Sequence, residues 1–217
     1  MPPGPRTSRK ESPRSWRSGR RPSKEPELEP HPIRLVVDDD LRRSRLTVFF
    51  RLILAIPPSI WLGLWGIAAF FAWVAAWFVA LVTRRVPEGL HGFLASYLRY
   101  HAHVYAYAFL LANPFPGFTA AQPYPVTLEV DALVPQSRWV TFFRVILAIP
   151  ALLIAAVLLY LLELLAFLAW FVCLFAANMP DRFENLGLYC LRYYQQALGY
   201  LYLLTQRYPS LSSPTPI

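Results

Sequence analysis

The sequence predicts an all-α integral membrane protein: two tandem transmembrane helical hairpins, four spans in all, with amphipathic interfacial helices and a short strand pair. Three observations carry that expectation. Of 217 residues, 56% are hydrophobic and 16% charged, against ~45–50% apolar and ~25% charged in soluble domains, and the mean hydropathy is +0.35. Shifting the chain by 93 residues superposes 31–116 on 124–209 without a gap, with 27 identities in 86 pairs. Each copy carries an apolar run, 46–82 and 139–179, of 37 and 41 residues. One helix needs only about 20 residues to cross ~30 Å of hydrocarbon, so each run is about twice one span.

Residues 1–30 hold eight Lys or Arg and four Glu, and their only large apolar residues are Trp16 and Leu28. Such a segment buries too little surface to offset the entropy of ordering, which predicts a disordered basic arm. Arg20 and Arg21 form a twin-arginine pair, but no apolar stretch follows within 24 residues, so an export signal is rejected. The arm is either a solvated tail or a polybasic segment held to anionic lipid at about 1 kcal/mol per cation. Both readings place it on the cytoplasmic side.

Repeat one spans 31–116, a linker 117–123, repeat two 124–209 and a disordered tail 210–217. The two copies share FFR-x-ILAIP at 49–57 and 142–150, AWFV at 76–79 and 169–172, and LRY at 98–100 and 191–193. Each opens on an alternating segment. Ile33, Leu35 and Val37 share one side, as do Val126, Leu128 and Val130, which predicts two short strands that pair as a ribbon outside the bilayer. A basic or polar link follows, in which Ser44 and Ser137 are placed to cap the helices beginning at Arg45 and Arg138.

The apolar runs come next. Gly63 and Gly66 lie mid-run, where a tight hairpin would turn. Arg42, Arg43 and Arg45 precede the first run and Arg84 and Arg85 follow it; the positive-inside rule favours both clusters on the cytoplasmic face, which a hairpin satisfies and a single span does not. Repeat two has Arg138 before and Arg182 after. The expected arrangement is two hairpins of the same orientation about a pseudo-two-fold axis along the membrane normal.

The last part of each copy, 88–112 and 181–204, follows Pro87 or Pro180 and has Glu88 or Asp181 at its start, where the helix dipole favours acid. Its helical periodicity and the nine tyrosines of the two segments, Tyr97 and Tyr193 among them, predict an amphipathic helix in the membrane interface. A third span per copy is the alternative, and it would set Arg99, His101 and His103 deep in lipid.

The LVTRRVPEGLHGF segment at 81–93, followed by LRYHAHVYAYAFLL at 98–111 and a Pro-aromatic turn, resembles a bacterial membrane family catalogued as domain of unknown function 4389. Pro87, Glu88, Gly89 and Leu90 match its loop. Repeat two reads PDRF at 180–183, without the Glu-Gly pair, but keeps Tyr208 and Pro209. The resemblance covers both copies and implies no activity.

Candidate chemistry is sparse. Arg51 and Arg144 lie just inside the apolar runs, where an arginine either serves function or snorkels to the head groups. Glu163 stands opposite Phe70; with a turn near 157–160 it would open the returning helix as an interfacial carboxylate, the alternative being a proton or cation ligand. His101 and His103, two apart, point to different helix faces and cannot chelate one ion together. Cys173 and Cys190 lack CxxC spacing and read as buried thiols. No P-loop, HExxH, GxSxG or dinucleotide fingerprint occurs. Arg99 and Arg192 are candidates for lipid phosphate or for pairing with Glu88 and Asp181. Arg45, Arg51 and Arg99 recur as Arg138, Arg144 and Arg192, which marks these six as shared lipid or partner contacts.

The expected function is non-enzymatic: a scaffold, regulatory or accessory subunit in the bacterial plasma membrane, multi-pass with cytoplasmic termini, touching anionic lipid or a protein partner. No cofactor and no nucleic acid are expected. The alternative is a small transporter or channel component, since parallel repeats are one transporter architecture.

Overall fold

A computed structural model describes residues 31–37, 45–120, 123–131, 135–176 and 180–212. The expected arm at 1–30, Arg42, Arg43, Ser44 and most of the tail lie outside the described residues. Strand β1 (Ile33–Val37) leads into helices α1 (Arg45–Leu54), α2 (Ile56–Thr83) and α3 (Glu88–Ala108); strand β2 (Val126–Val130) leads into α4 (Arg138–Ala176) and α5 (Asp181–Leu201).

The apolar runs are not hairpins. Helix α2 passes unbroken through Gly63 and Gly66, and α4 passes unbroken through 157–160. A helical glycine costs about 1 kcal/mol relative to alanine, less than a turn that would unpair several backbone groups with no polar side chain nearby to satisfy them. The one interruption is at Ala55, before Pro57 and Pro58, which sit in the first turn of α2, where no helical N–H is required. Repeat two has a single proline there, Pro150, and α4 carries it inside the helix. Among the described residues two helical stretches, Thr47–Thr83 and Arg138–Phe175, are long and apolar enough to cross a membrane, not the four expected.

Each long helix buries one narrow seam. Leu62, Ala69, Ala76 and Ala80 in α2 recur 93 residues on as Ala155, Leu162, Ala169 and Cys173 in α4, all buried. The side chains are small, so neighbouring helices approach closely. Helix α3 runs back along α2, with the Tyr97 hydroxyl 3.1 Å from where a Gly66 Cβ would stand, and α5 runs back along α4.

The copies interlock reciprocally. Trp77 Nε1 donates to the Thr141 carbonyl at 2.8 Å, and Trp170 Nε1 donates to the Val48 carbonyl at 3.0 Å. These are one bond written twice, since 77 and 48 become 170 and 141 on adding 93. The end of α2 therefore meets the start of α4, and the end of α4 meets α1, so the long helices run antiparallel. The two contacts stand about 29 residues apart along each helix, ~43 Å at 1.5 Å per residue.

The expected strand pair forms, antiparallel, with Ile33 opposite Val130 and Leu35 opposite Leu128. Leu128 is the repeat counterpart of Leu35, so the pseudo-two-fold axis passes between them. It lies perpendicular to the long helices, and the expectation of similarly oriented hairpins fails. Between the ribbon and the long helices lie α3 and α5. These are not interfacial helices with an open apolar face: only Glu88, Gly89 and Gly92 of α3 are exposed, and Tyr97, Tyr100, Tyr107, Tyr193 and Tyr200 are buried. The Tyr100 hydroxyl donates to the Gly117 carbonyl at 3.1 Å, and the hydroxyls of Tyr97 and Tyr202 bond each other.

A Cβ at Gly63 would meet nothing within 4 Å. Gly63→Ala is therefore expected to raise stability by up to about 1 kcal/mol through helix propensity, read as a higher Tm in detergent. A lower Tm would reinstate a turn at that position.

Candidate functional site

The feature that both copies build identically is the carbonyl end of α3 and of α5. Each helix stops through a leucine in the left-handed region, Leu110 at φ 65° and Leu203 at φ 61°. The Leu111 N–H donates to the Ala106 carbonyl at 2.9 Å and the Leu204 N–H to the Gly199 carbonyl at 3.0 Å, the long bond of a Schellman cap. Glycine would take this conformation without the penalty of about 1–2 kcal/mol that an L side chain incurs. Leucine is kept because its side chain is buried, at 2% and 1% exposure.

Helical carbonyls left over at such an end need donors, and an arginine from the long helix supplies them. Arg51 Nε donates to the Tyr107 carbonyl at 2.6 Å and its Nη2 to the Ala112 carbonyl. Arg144 Nη1 donates to the Tyr200 and Thr205 carbonyls at 2.7 and 2.9 Å, and its Nη2 to Gln136 Oε1 at 2.8 Å. The guanidinium of Arg51 lies 4.4 Å from the Tyr107 ring centre, and that of Arg144 lies 4.7 Å from the Tyr200 ring centre, within cation–π range. The negative end of the helix dipole adds to the attraction.

Arg51 and Arg144 therefore do not snorkel. They are 2% and 1% exposed and turned towards backbone, closed to a lipid head group. Arg99 Nε donates to the Leu128 carbonyl at 3.0 Å, tying α3 to the ribbon. Arg192 Nη2 donates to the Ser212 carbonyl at 2.7 Å and its guanidinium lies 5.4 Å from the Tyr189 ring centre. Neither pairs with Glu88 or Asp181. Arg138 is exposed and gives one bond to the Val82 carbonyl at 2.9 Å. Arg45 opens α1, and its side chain lies outside the described residues.

Glu163 does not open a returning helix. It is exposed, in the second half of the unbroken α4. His101 and His103 are core residues, stacked on Tyr105 and Tyr124 with ring centres 4.1 and 4.5 Å apart. Burial pushes His101 down to about 3, opposed by its bond to Gln195 at 3.0 Å. Burial, then the Arg99 charge, pushes His103 down to about 4. Among the described residues no three His, Cys, Asp or Glu gather as a metal site. Sequence reasoning missed Gln136 and Gln195, whose positions carry no shared motif, and it read the AWFV tryptophans only as a match.

The geometry defines a class: a tandem duplication of one unit, a long apolar helix with a shorter partner closed by a buried arginine. The chain belongs to the family described as domain of unknown function (DUF4389), whose model matches it twice, at residues 45–120 and 138–213. Each match contains the buried arginine and the two carbonyls it caps, Arg51 with Tyr107 and Ala112 and Arg144 with Tyr200 and Thr205. No curated protein and no solved structure matches the chain.

Arg144→Met is expected to cost about 3 kcal/mol or more, because the buried Thr205 carbonyl and Gln136 Oε1 lose their donor and the Tyr200 carbonyl is left with the Leu203 N–H. Arg144→Lys should not rescue it, since a compact ammonium cannot span the three acceptors; thermal unfolding in detergent reads both.

The histidines set a pH window. Both stay neutral in the folded chain well below 6.5, so the unfolded chain takes up protons first and stability falls as pH drops from about 6.5 towards 4. His103→Phe keeps a ring on Tyr124 and should show a smaller loss of Tm across that window than the parent.

Proposed function

We propose that the protein is a non-enzymatic scaffold or accessory subunit of the bacterial plasma membrane, held there by its long helices while the α3, α5 and ribbon side faces a protein partner. One observation carries the reading. Opposite its buried seam, α2 exposes Ile60, Leu64, Ile67, Phe71, Phe78 and Val82, and α4 exposes the counterparts Leu153, Val157, Tyr160, Leu164, Phe171 and Phe175. Soluble monomers rarely leave an apolar face of this extent in water. Cytoplasmic termini and attachment of the basic arm to anionic lipid belong to the same reading.

A small transporter or channel component is the second reading, favoured by Glu163, a carboxylate among the exposed apolar residues of α4. Flux into proteoliposomes that Glu163→Gln abolishes would replace the scaffold reading.

Membranes washed with alkaline carbonate should retain the full chain in the pellet. Its release to the supernatant would end the membrane reading.

A further inference from the structure

We infer that the two long helices lie flat in one leaflet instead of crossing the bilayer, with the pseudo-two-fold axis along the membrane normal and the ribbon in water. The occupant of the apolar face is then the cytoplasmic leaflet of an anionic-lipid membrane. This rests on the membrane reading above and adds an orientation to it.

Symmetry supplies the first argument. The axis passes between Leu35 and Leu128 and, by the reciprocal Trp77 and Trp170 bonds, level with the midpoint of each long helix near Leu62 and Ala155. The ribbon thus stands over the middle of the helix pair. Were α2 and α4 upright, it would lie at the bilayer midplane with its strand edges open. It would bring Arg34 with it, bridged to Glu129 at 3.5 Å and to Asp131 at 3.2 Å, with both pairs exposed. Lipid-facing sheet edges do not occur in hydrocarbon, and charges at mid-depth are costly. Laid flat, the same ribbon points into water.

Length supplies the second. Helix α4, of 39 residues, is ~58 Å long at 1.5 Å per residue, so fitting a core of ~30 Å would take a tilt of roughly 59°, and α2, of 28 residues, would take roughly 44°; both lie outside the range of about 0–40° that spans adopt. A flat helix has no such limit.

Charge supplies the third. Arg84, Arg85 and Arg138 cluster where α2 ends and α4 begins, and Arg182 lies at the opposite end, where α5 follows α4. Upright antiparallel helices would divide these cations between the two faces, against the positive-inside rule. Flat helices hold all of them at one head-group level, with exposed Trp139 beside Arg138. The exposed face also lies opposite α3 and α5 on both helices, the one-sided apolar surface of an interfacial helix.

Single cysteines at Ser137, Asn185 and Glu129, all exposed, report the two ends of the helix pair and the ribbon. The full chain is labelled with a membrane-impermeant maleimide in intact cells and in inverted vesicles. We expect all three to react in inverted vesicles and none in intact cells. Reaction of Ser137→Cys and Asn185→Cys from opposite sides would overturn the flat orientation. Carbonate washing of the same vesicles separates the failures: release of the chain overturns the membrane reading with it, whereas retention with opposite labelling overturns the orientation alone. Oriented circular dichroism in aligned phosphatidylethanolamine and phosphatidylglycerol bilayers gives an independent readout. Helices parallel to the plane support the inference, and a tilt under about 40° from the normal refutes it.

Discussion

A guanidinium buried against the carbonyl end of a helix is the interaction on which each half of this molecule depends. Arg51 and Arg144 hold α3 and α5 at one point along the long helices, and so decide how far each shorter helix runs back before it stops. The cost of taking a cation out of water is large, and carbonyl dipoles and a tyrosine face offset it here. The leucines at positive φ belong to the same device, because the Schellman turn is what aims the carbonyls of Tyr107 and Tyr200 at the arginine.

The two-fold relation is the second constraint, and it explains why one copy would be incomplete. Among the described residues, strand β1 pairs only with β2, and the Trp77 indole donates to a carbonyl of the other copy. A lone copy would leave these groups buried and unpaired, or exposed. Gly199 shows how tightly the copies meet: a Cβ there would stand 2.0 Å from Ile33 Cδ1 and 3.4 Å from Leu98 Cδ2. Ribbon, α3 and α5 approach so closely at that point that a side chain there would have to displace the tip of Ile33 across the repeat boundary.

Much of the fold was legible in the sequence because duplication and alternation are local signals. The 93-residue shift located both copies, the period-two segments located both strands, and prolines 87 and 180 located the starts of α3 and α5. What failed was the step from apolar length to hairpin. Gly63 and Gly66 suggested a turn, but two glycines weaken a helix by far less than a turn would cost in unpaired backbone. The arginine caps were not legible for a different reason. Recurrence marked Arg51 and Arg144 as shared, while the identity of their acceptors depends on where α3 and α5 end in space, and main-chain carbonyls carry no sequence signature. Tyrosines misled similarly: a ring with one polar atom suits a membrane interface and a buried hydrogen bond equally well.

The divergence between the copies follows the same division. Positions that serve the two-fold or the caps are kept: Leu35 and Leu128, Arg51 and Arg144, Trp77 and Trp170, Leu98 and Leu191. Exposed positions divide: Phe49 and Phe142, and Ile53 and Ile146, keep their residue, while Phe70 against Glu163 and Ile67 against Tyr160 have separated. Buried seam positions divide too, with Ala76 and Ala169 the same but Leu62 against Ala155 and Ala69 against Leu162. The cleft where α2 meets α4 shows the division most clearly. Of its nine lining residues, Leu81, Ser137, Arg138 and Phe142 match their repeat counterparts Leu174, Ser44, Arg45 and Phe49, whereas Arg84, Pro135, Gln136, Trp139 and Gln206 correspond to Ala177, Arg42, Arg43, Leu46 and Asn113. A fold that is two-fold at its caps thus carries, at this cleft, five residues that the other copy does not repeat.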